Sequence, residues 1–196
     1  MHYQHQTSRA GFTLTEIAIV LGVVGLIIGA IWTAAKSVFD ANKATQAIED
    51  ITTIASNVRA TYLAANSFAA TGDQTTTLMN AGGIFPSDLL VGNPATSVKN
   101  AWNGAVKITF NLSGNNRVFR ISYFGTSEDA CFRIVSQLAN LGTSDAPINL
   151  ITNSGNTVAI PNTGANVGLS STAINNACRL NNGSAAASTE FDYTIH

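Results

Sequence analysis

The chain has 196 residues, enough for one soluble domain of ordinary size beside a membrane segment and too few for two independent cores. Charged residues make up 11% against 45% hydrophobic, the formal net charge is -1, and no basic cluster occurs, which excludes electrostatic capture of nucleic acid. Thr, Asn, Ala and Gly fill much of the remainder, a composition suited to packing against copies of itself.

Residues 1–11 are polar, lack apolar periodicity and read as a leader absent from the working protein. Arg9 is the only formally charged side chain there, so its removal takes the formal charge from -1 to -2. From Ile17 to Ala35 there is neither charge nor proline. At about 1.5 Å per helical residue this run nearly crosses a hydrocarbon core of roughly 30 Å, and Trp32 suits the bilayer interface. A secretory signal peptide is the nearest rival, but such peptides have a shorter apolar core and a cleavage site after it. Here the plausible cut precedes the run, which is therefore kept. Arg9, the initiator amine, His2 and His5, set against Lys36, place the long polar C-terminal portion on the periplasmic side.

Glu16 at the edge of this span needs a reason, because a carboxylate carried to the bilayer centre costs about 2.5–3.5 kcal/mol. A cut between Gly11 and Phe12 would supply one. The new amine of Phe12 would lie about one helical turn from Glu16, able to pair with it or with the Glu16 of a neighbouring copy. The segment Gly11-Phe12-Thr13-Leu14-Thr15-Glu16, running into an apolar helix, resembles the class III leader of type IV prepilins and pseudopilins. That resemblance implies cleavage after Gly11 by a membrane peptidase, methylation of Phe12, and a role for Glu16 in docking the subunit. Within the span, Gly22, Gly25, Gly29 and Thr33 follow at steps of three and four; the reading is close helix packing between subunits, and ordinary glycine tolerance in membrane helices is its rival. Glycines also weaken a helix by about 1 kcal/mol each relative to Ala, so this segment is expected to unwind locally in an assembled fibre.

The helical pattern continues past the span. Ala44, Ile48, Ile51, Ala55, Val58, Tyr62 and Ala65 recur at alternating steps of four and three, and neither Pro nor Gly interrupts from Ala30 to Asn66. One helix over residues 12–66, roughly 80 Å long, is expected, with 12–35 as the membrane and assembly segment and the remainder as the spine of a head over 67–196. Residues 67–103, punctuated by Gly72, Gly82, Gly83, Pro86, Gly92 and Pro94, read as a connecting loop with at most short helices at Thr75–Asn80 and Ser87–Leu90.

A hairpin follows: Val106, Ile108 and Phe110 alternate with polar residues, as do Phe119, Ile121 and Tyr123, around a Ser113-Gly114-Asn115-Asn116 turn. Thr126 or Ser127 can cap a helix opening with Glu128 and Asp129 and ending near Gly142. A second hairpin is expected from 148–151 and 157–160, a short helix before Cys178, and a final strand through Phe191, Tyr193 and Ile195. The run Asn100-Ala101-Trp102-Asn103-Gly104-Ala105, the two strands, Asp129-Ala130-Cys131 opening a helix, late Cys178 and the closing strand look like the head of type IVb major pilins. The fold implied is α+β, a long N-terminal helix packed on an antiparallel sheet with a disulfide-closed C-terminal region.

Two cysteines in an exported chain allow one intramolecular disulfide, Cys131 to Cys178, with two buried thiols as the alternative. Histidine occurs only at 2, 5 and 196, carboxylates are sparse, and no metal or phosphate motif is present. No catalytic residue, metal or cofactor is expected. The reading is a structural subunit of a type IVb-like pilus, partnered by copies of itself, by a prepilin peptidase with the assembly machinery, and by the inner membrane before assembly. Its rivals are a pseudopilin of a type II secretion system and a membrane-anchored binding protein that never polymerises.

Overall fold

The computed structural model describes residues 11, 13–65, 67–112, 114–139, 149–152, 157–159, 172, 174, 178 and 187–195, the backbone alone for 149–152, 157–159 and 187. Helix α1, Leu14–Tyr62, is unbroken, as the absence of proline requires. The chain divides into two compact units, Met1–Phe39 and Asp40–His196.

In the first unit α1 is apolar all round and its large side chains, among them Ile17, Leu21, Leu26, Ile31, Trp32 and Phe39, are exposed. It contains a stretch long and apolar enough to cross a membrane, with none of that stretch buried.

In the second unit α1 becomes one-sided. Ala44, Ala47, Ile51, Ile54, Ala55 and Val58 are buried, a spacing of three and four that lays one stripe on the core. The helix stops at Tyr62, one turn before the expected Asn66, and Ala65 donates to the Tyr62 carbonyl at 3.1 Å. Arg59 in the last turn donates from Nε to the Thr194 carbonyl at 3.0 Å and lies 5.3 Å from the centre of the Tyr193 ring. That fixes the C-terminal end of α1 and places a cation where the helix dipole favours one.

The stretch 67–103 carries more structure than its glycines and prolines suggest. It contains β1 (Gly72–Asp73), α2 (Thr75–Ala81), a 3₁₀ turn (Ser87–Leu89), β2 (Leu90–Val91) and β3 (Ser97–Val98). These strands are two residues each, too short to show alternation, and they arise from tertiary pairing. β1 lies against the first strand of the hairpin, β4 (Val106–Leu112), with Gly72 opposite Phe110, and β2 pairs with β3.

β4 (Val106–Leu112) and β5 (Asn115–Thr126) form the expected hairpin with a tighter turn, since Asn115 and Asn116 belong to β5. The register shifts between Phe110 and Leu112, where Asn111 has φ 58°. Helix α3 (Glu128–Leu138) is capped by Ser127, whose hydroxyl accepts from the Ala130 N–H at 3.2 Å. Thr126 does not cap it; its hydroxyl pairs with that of Thr189 at 3.0 Å. α3 ends at Leu138, before the expected stop near Gly142, which lies outside the described residues. β6 (Asn149–Thr152) and β7 (Thr157–Ala159) pair as the second hairpin; the turn between them lies outside the described residues. Thr172, Ile174 and Cys178 are helical.

The closing strand β8 (Ala187–Thr194) is not at an edge. The main sheet runs β1-β4-β5-β8-β6-β7, so the end of the chain is threaded between β5 and β6, antiparallel to both. Its alternation explains why. Phe119 faces Tyr193 and Ile121 faces Phe191, all fully buried, while Arg120 faces Asp192 and Ser122 faces Glu190 on the other side of the sheet. The apolar side shares one core with the α1 stripe and with Cys131, Ile134, Val135 and Leu138 of α3.

Candidate functional site

The residues expected to serve in processing and assembly fall where α1 begins. Gly11 is exposed and outside the helix; Phe12, the expected first residue after cleavage and methylation target, lies outside the described residues. Glu16 sits in the first helical turn, where a negative charge complements the helix dipole. Its Oε2 accepts from the Thr13 N–H at 2.9 Å and from the Thr13 hydroxyl at 2.9 Å, and the Glu16 N–H donates back to Thr13 Oγ1 at 3.3 Å. This is a reciprocal capping box, readable from the Thr-x-x-Glu spacing, which attention to the cleavage motif passed over. It gives the carboxylate a partner within the chain, independent of a new amine at Phe12.

Gly22, Gly25 and Gly29 all lie in α1, and a Cβ built on any of them would meet nothing within 4 Å. Among the described residues, no packing within one chain requires glycine there. The Thr33 hydroxyl donates to the Ala30 carbonyl at 2.8 Å, a bond inside the helix that leaves the apolar surface intact.

Within the head, Cys131 in the first turns of α3 is bonded to Cys178, with Cα atoms 5.7 Å apart and a sequence separation of 47. Both cysteines are buried, so the link ties the late part of the chain to the core instead of to the surface. The Asn100–Gly104 turn is a second staple. Asn100 is buried; its Nδ2 donates to the Phe124 carbonyl at 2.8 Å, and its Oδ1 accepts from the N–H groups of Trp102 and Gly104 at 3.0 Å each.

Arg120, Asp192 and Glu190 form a charge cluster on the sheet face away from α1's stripe. Arg120 Nε donates to Asp192 Oδ1 at 2.6 Å, Nη2 to Asp192 Oδ2 at 3.1 Å, and Nη1 to Glu190 Oε2 at 2.9 Å. The bidentate bond to Asp192 raises the guanidinium pKa further, so this group never titrates. Its geometry is that of a cross-strand brace between β5 and β8. Sequence reasoning missed it because Arg120 and Asp192 are 72 residues apart. Among the described residues, no cluster of three or more His, Cys, Asp or Glu side chains could hold a metal ion.

A long N-terminal helix that is lipid-like in one stretch and amphipathic in the next, with an antiparallel sheet on the amphipathic stretch and a late disulfide, is the type IV pilin fold. The crystal structure of the type IVb pilin from Salmonella typhi is similar over 75% of this chain and 97% of its own, with a TM-score of 0.53 at 18% identity. The type IV pilin TcpA from Vibrio cholerae El Tor biotype is similar over 78% of this chain and 99% of its own, with a TM-score of 0.53 at 16% identity. Residues 41–189 match the family model described as PilS N terminal, and the chain belongs to that family, as a type IVb-like pilin. In sequence it is 25% identical over 142 residues to the toxin coregulated pilin of Vibrio cholerae, a match covering 71% of this chain and 62% of that protein's length. These relatives are pilins, structural proteins and not enzymes.

Proposed function

We propose that this chain is the subunit of a type IVb-like pilus: a precursor held in the inner membrane with its head periplasmic, cut by a prepilin peptidase after Gly11, N-methylated on Phe12 and polymerised into an extracellular fibre. Residues 1–11 are the leader, 12–35 the membrane and assembly segment at the start of the N-terminal helix, which runs on to Tyr62, and 67–196 the head. Family membership supports the subunit, and the relatives named toxin coregulated pilin support the fibre.

The observation that carries the reading furthest is the first unit of the chain. Its large apolar side chains are exposed from Leu14 to Phe39, and a Cβ at Gly22, Gly25 or Gly29 would meet nothing among the described residues. A bilayer covers such a helix in the precursor, and helices of other copies cover it in a fibre, where glycine lets backbones approach closely. Glu16 and the Phe12 amine set the axial register. The capping box supports a defined start for the helix, from which one carboxylate is presented at a fixed height.

Immunogold labelling of sheared surface fibres tests the proposal, and labelled fibres are expected. Label confined to the periplasm would favour a secretion pseudopilin. If Glu16→Ala behaves as wild type and no fibres form with either, the polymer reading fails in favour of a membrane-anchored binding protein. Mass spectrometry of the purified chain should find methylated Phe12 at the N-terminus; another start overturns the processing step.

A further inference from the structure

On α1, Gln46, Asp50 and Asn57 fall within about 40° of one another around the axis, so they form one polar line along the helix. The two outer members hold the segment Ile84–Leu89: Gln46 Nε2 donates to Asp88 Oδ2 at 2.8 Å, and Asn57 Nδ2 donates to the Ile84 carbonyl at 3.1 Å. The apolar anchors of that segment, Ile84, Phe85 and Leu89, are buried in the core. Asp50 lies between the two tethers and is only 6% exposed. The charged groups acting on it are Asp88 from the 3₁₀ turn and Glu49 beside it on α1, both acidic. From the sheet, the buried Tyr123 hydroxyl of β5 feels both Asp50 and Asp88 and has no hydrogen-bond partner among the described residues; Tyr193 of β8 also acts on it electrostatically.

Among the described residues, the two charges that act on this buried carboxyl are both negative, so no opposing charge holds it there. The tethers on either side of it are neutral-donor hydrogen bonds of modest net strength. We propose that the segment Ile84–Leu89 is a proton-controlled latch on α1, closed while the Asp50 carboxyl is protonated and loosened when it ionises. In the closed state the neutral acid repels neither Asp88 nor Glu49 and has a proton to donate. Ionisation sets Asp50 against Asp88, and in the loosened state the 3₁₀ turn swings away, breaking the Gln46 bond and exposing Leu89. The device belongs to the single chain and stands whether or not the chain polymerises.

The direction follows from linkage. Burial, reinforced by Asp88 and Glu49, pushes the Asp50 carboxyl up to about 7, against about 4 for a solvated aspartate in the open state. A group whose closed-state pKa is raised stabilises the closed state fully below the open-state value, and that stabilisation is lost as pH rises to the closed-state value. Opening should therefore grow by up to about tenfold per pH unit between about 4 and about 7, then level off.

The test is hydrogen exchange with mass spectrometry on the full chain in detergent micelles, following peptides covering 83–92 and corrected for intrinsic exchange rates. Wild type is expected to lose at least about tenfold protection between pH 5 and 7 and to plateau above. Asp50→Asn, permanently neutral, should stay protected throughout. A variant that keeps the wild-type pH profile, or a wild-type profile flat from pH 5 to 7, overturns the proposal. Wild-type protein labelled at aspartate carboxyl carbons gives a check that needs no variant. One resonance titrating near pH 7 is expected, and no aspartate titrating above the ordinary carboxylate range overturns it.

Discussion

Gly104 offers the sharpest test of how the head is held together. A Cβ added there would lie 1.7 Å from the Phe124 carbonyl oxygen and 2.5 Å from its carbon, both backbone atoms that no rotamer change can move. Directly opposite, Gly125 has φ 75°, and its own Cβ would sit 3.5 Å from Gly104 Cα, so the two backbones meet where two side chains would otherwise stand. Gly104→Ala must therefore separate the turn from β5. That endangers three bonds: Phe124 N–H to the Ala105 carbonyl at 3.0 Å, Asn100 N–H to the Gly104 carbonyl at 2.9 Å, and Asn100 Nδ2 to the Phe124 carbonyl at 2.8 Å. At about 1 kcal/mol net each, with about 1–3 kcal/mol for the displaced backbone, the loss is about 4–6 kcal/mol. For a chain of this length that lowers Tm by about 10 °C or more, read by circular dichroism of the full chain in detergent. Asn100→Ala removes three side-chain bonds and should cost about 2–4 kcal/mol. Both changes strike one turn, so the double variant should fall well short of the sum. A Gly104→Ala protein melting within about 2 °C of wild type would refute the claim that this contact is obligatory.

Ile54→Ala, at a fully buried position on α1, should cost about 3–4 kcal/mol, whereas Leu26→Ala on the exposed stretch should leave thermal unfolding within about 0.5 kcal/mol; equal losses in urea titrations would show that the stripe does not bear on the head. Arg120→Leu, which strands two partly buried carboxylates, should destabilise by about 3 kcal/mol, and adding Asp192→Asn with Glu190→Gln should recover most of that; no recovery in the triple variant would mean the brace acts through packing. Reduction should remove about 4 kcal/mol on the chain-entropy account of a link spanning 47 residues, measured as the Cm shift with and without reductant. An unshifted transition would mean the late segment is held by other contacts.

Legibility in the sequence tracked how local the cause of each element is. The α1 stripe, the β4–β5 alternation and the cap of α3 are set by neighbours a few positions apart; the first two could be read directly, and the cap to within Thr126 or Ser127. The two-residue strands could not, because Gly72 and Asp73 become a strand only when Phe110 and Thr109 are beside them. The same reason hid the position of β8: alternation from Phe191 to Ile195 announces a strand but not its neighbours. The helix overshoot to Asn66 has a different origin, since Ala65 continues the apolar spacing while Arg59 binds the Thr194 carbonyl and the last turn closes at Tyr62.

Threading the last strand through the middle of the sheet has a consequence for how this head withstands load. β8 joins β5 to β6, so the sheet is continuous only once residues 187–194 are in place. Its two faces then do different work: Phe191 and Tyr193 complete the core beneath α1, and Asp192 with Glu190 holds Arg120 on the opposite side. Arg59 reaches from the end of α1 to the Thr194 carbonyl at the end of that same strand. The strand that Arg59 grips is hydrogen-bonded on both edges, and extracting it requires breaking two ladders at once. An edge strand in the same position would leave one ladder to resist, so the central placement suits a head carried on a single helix.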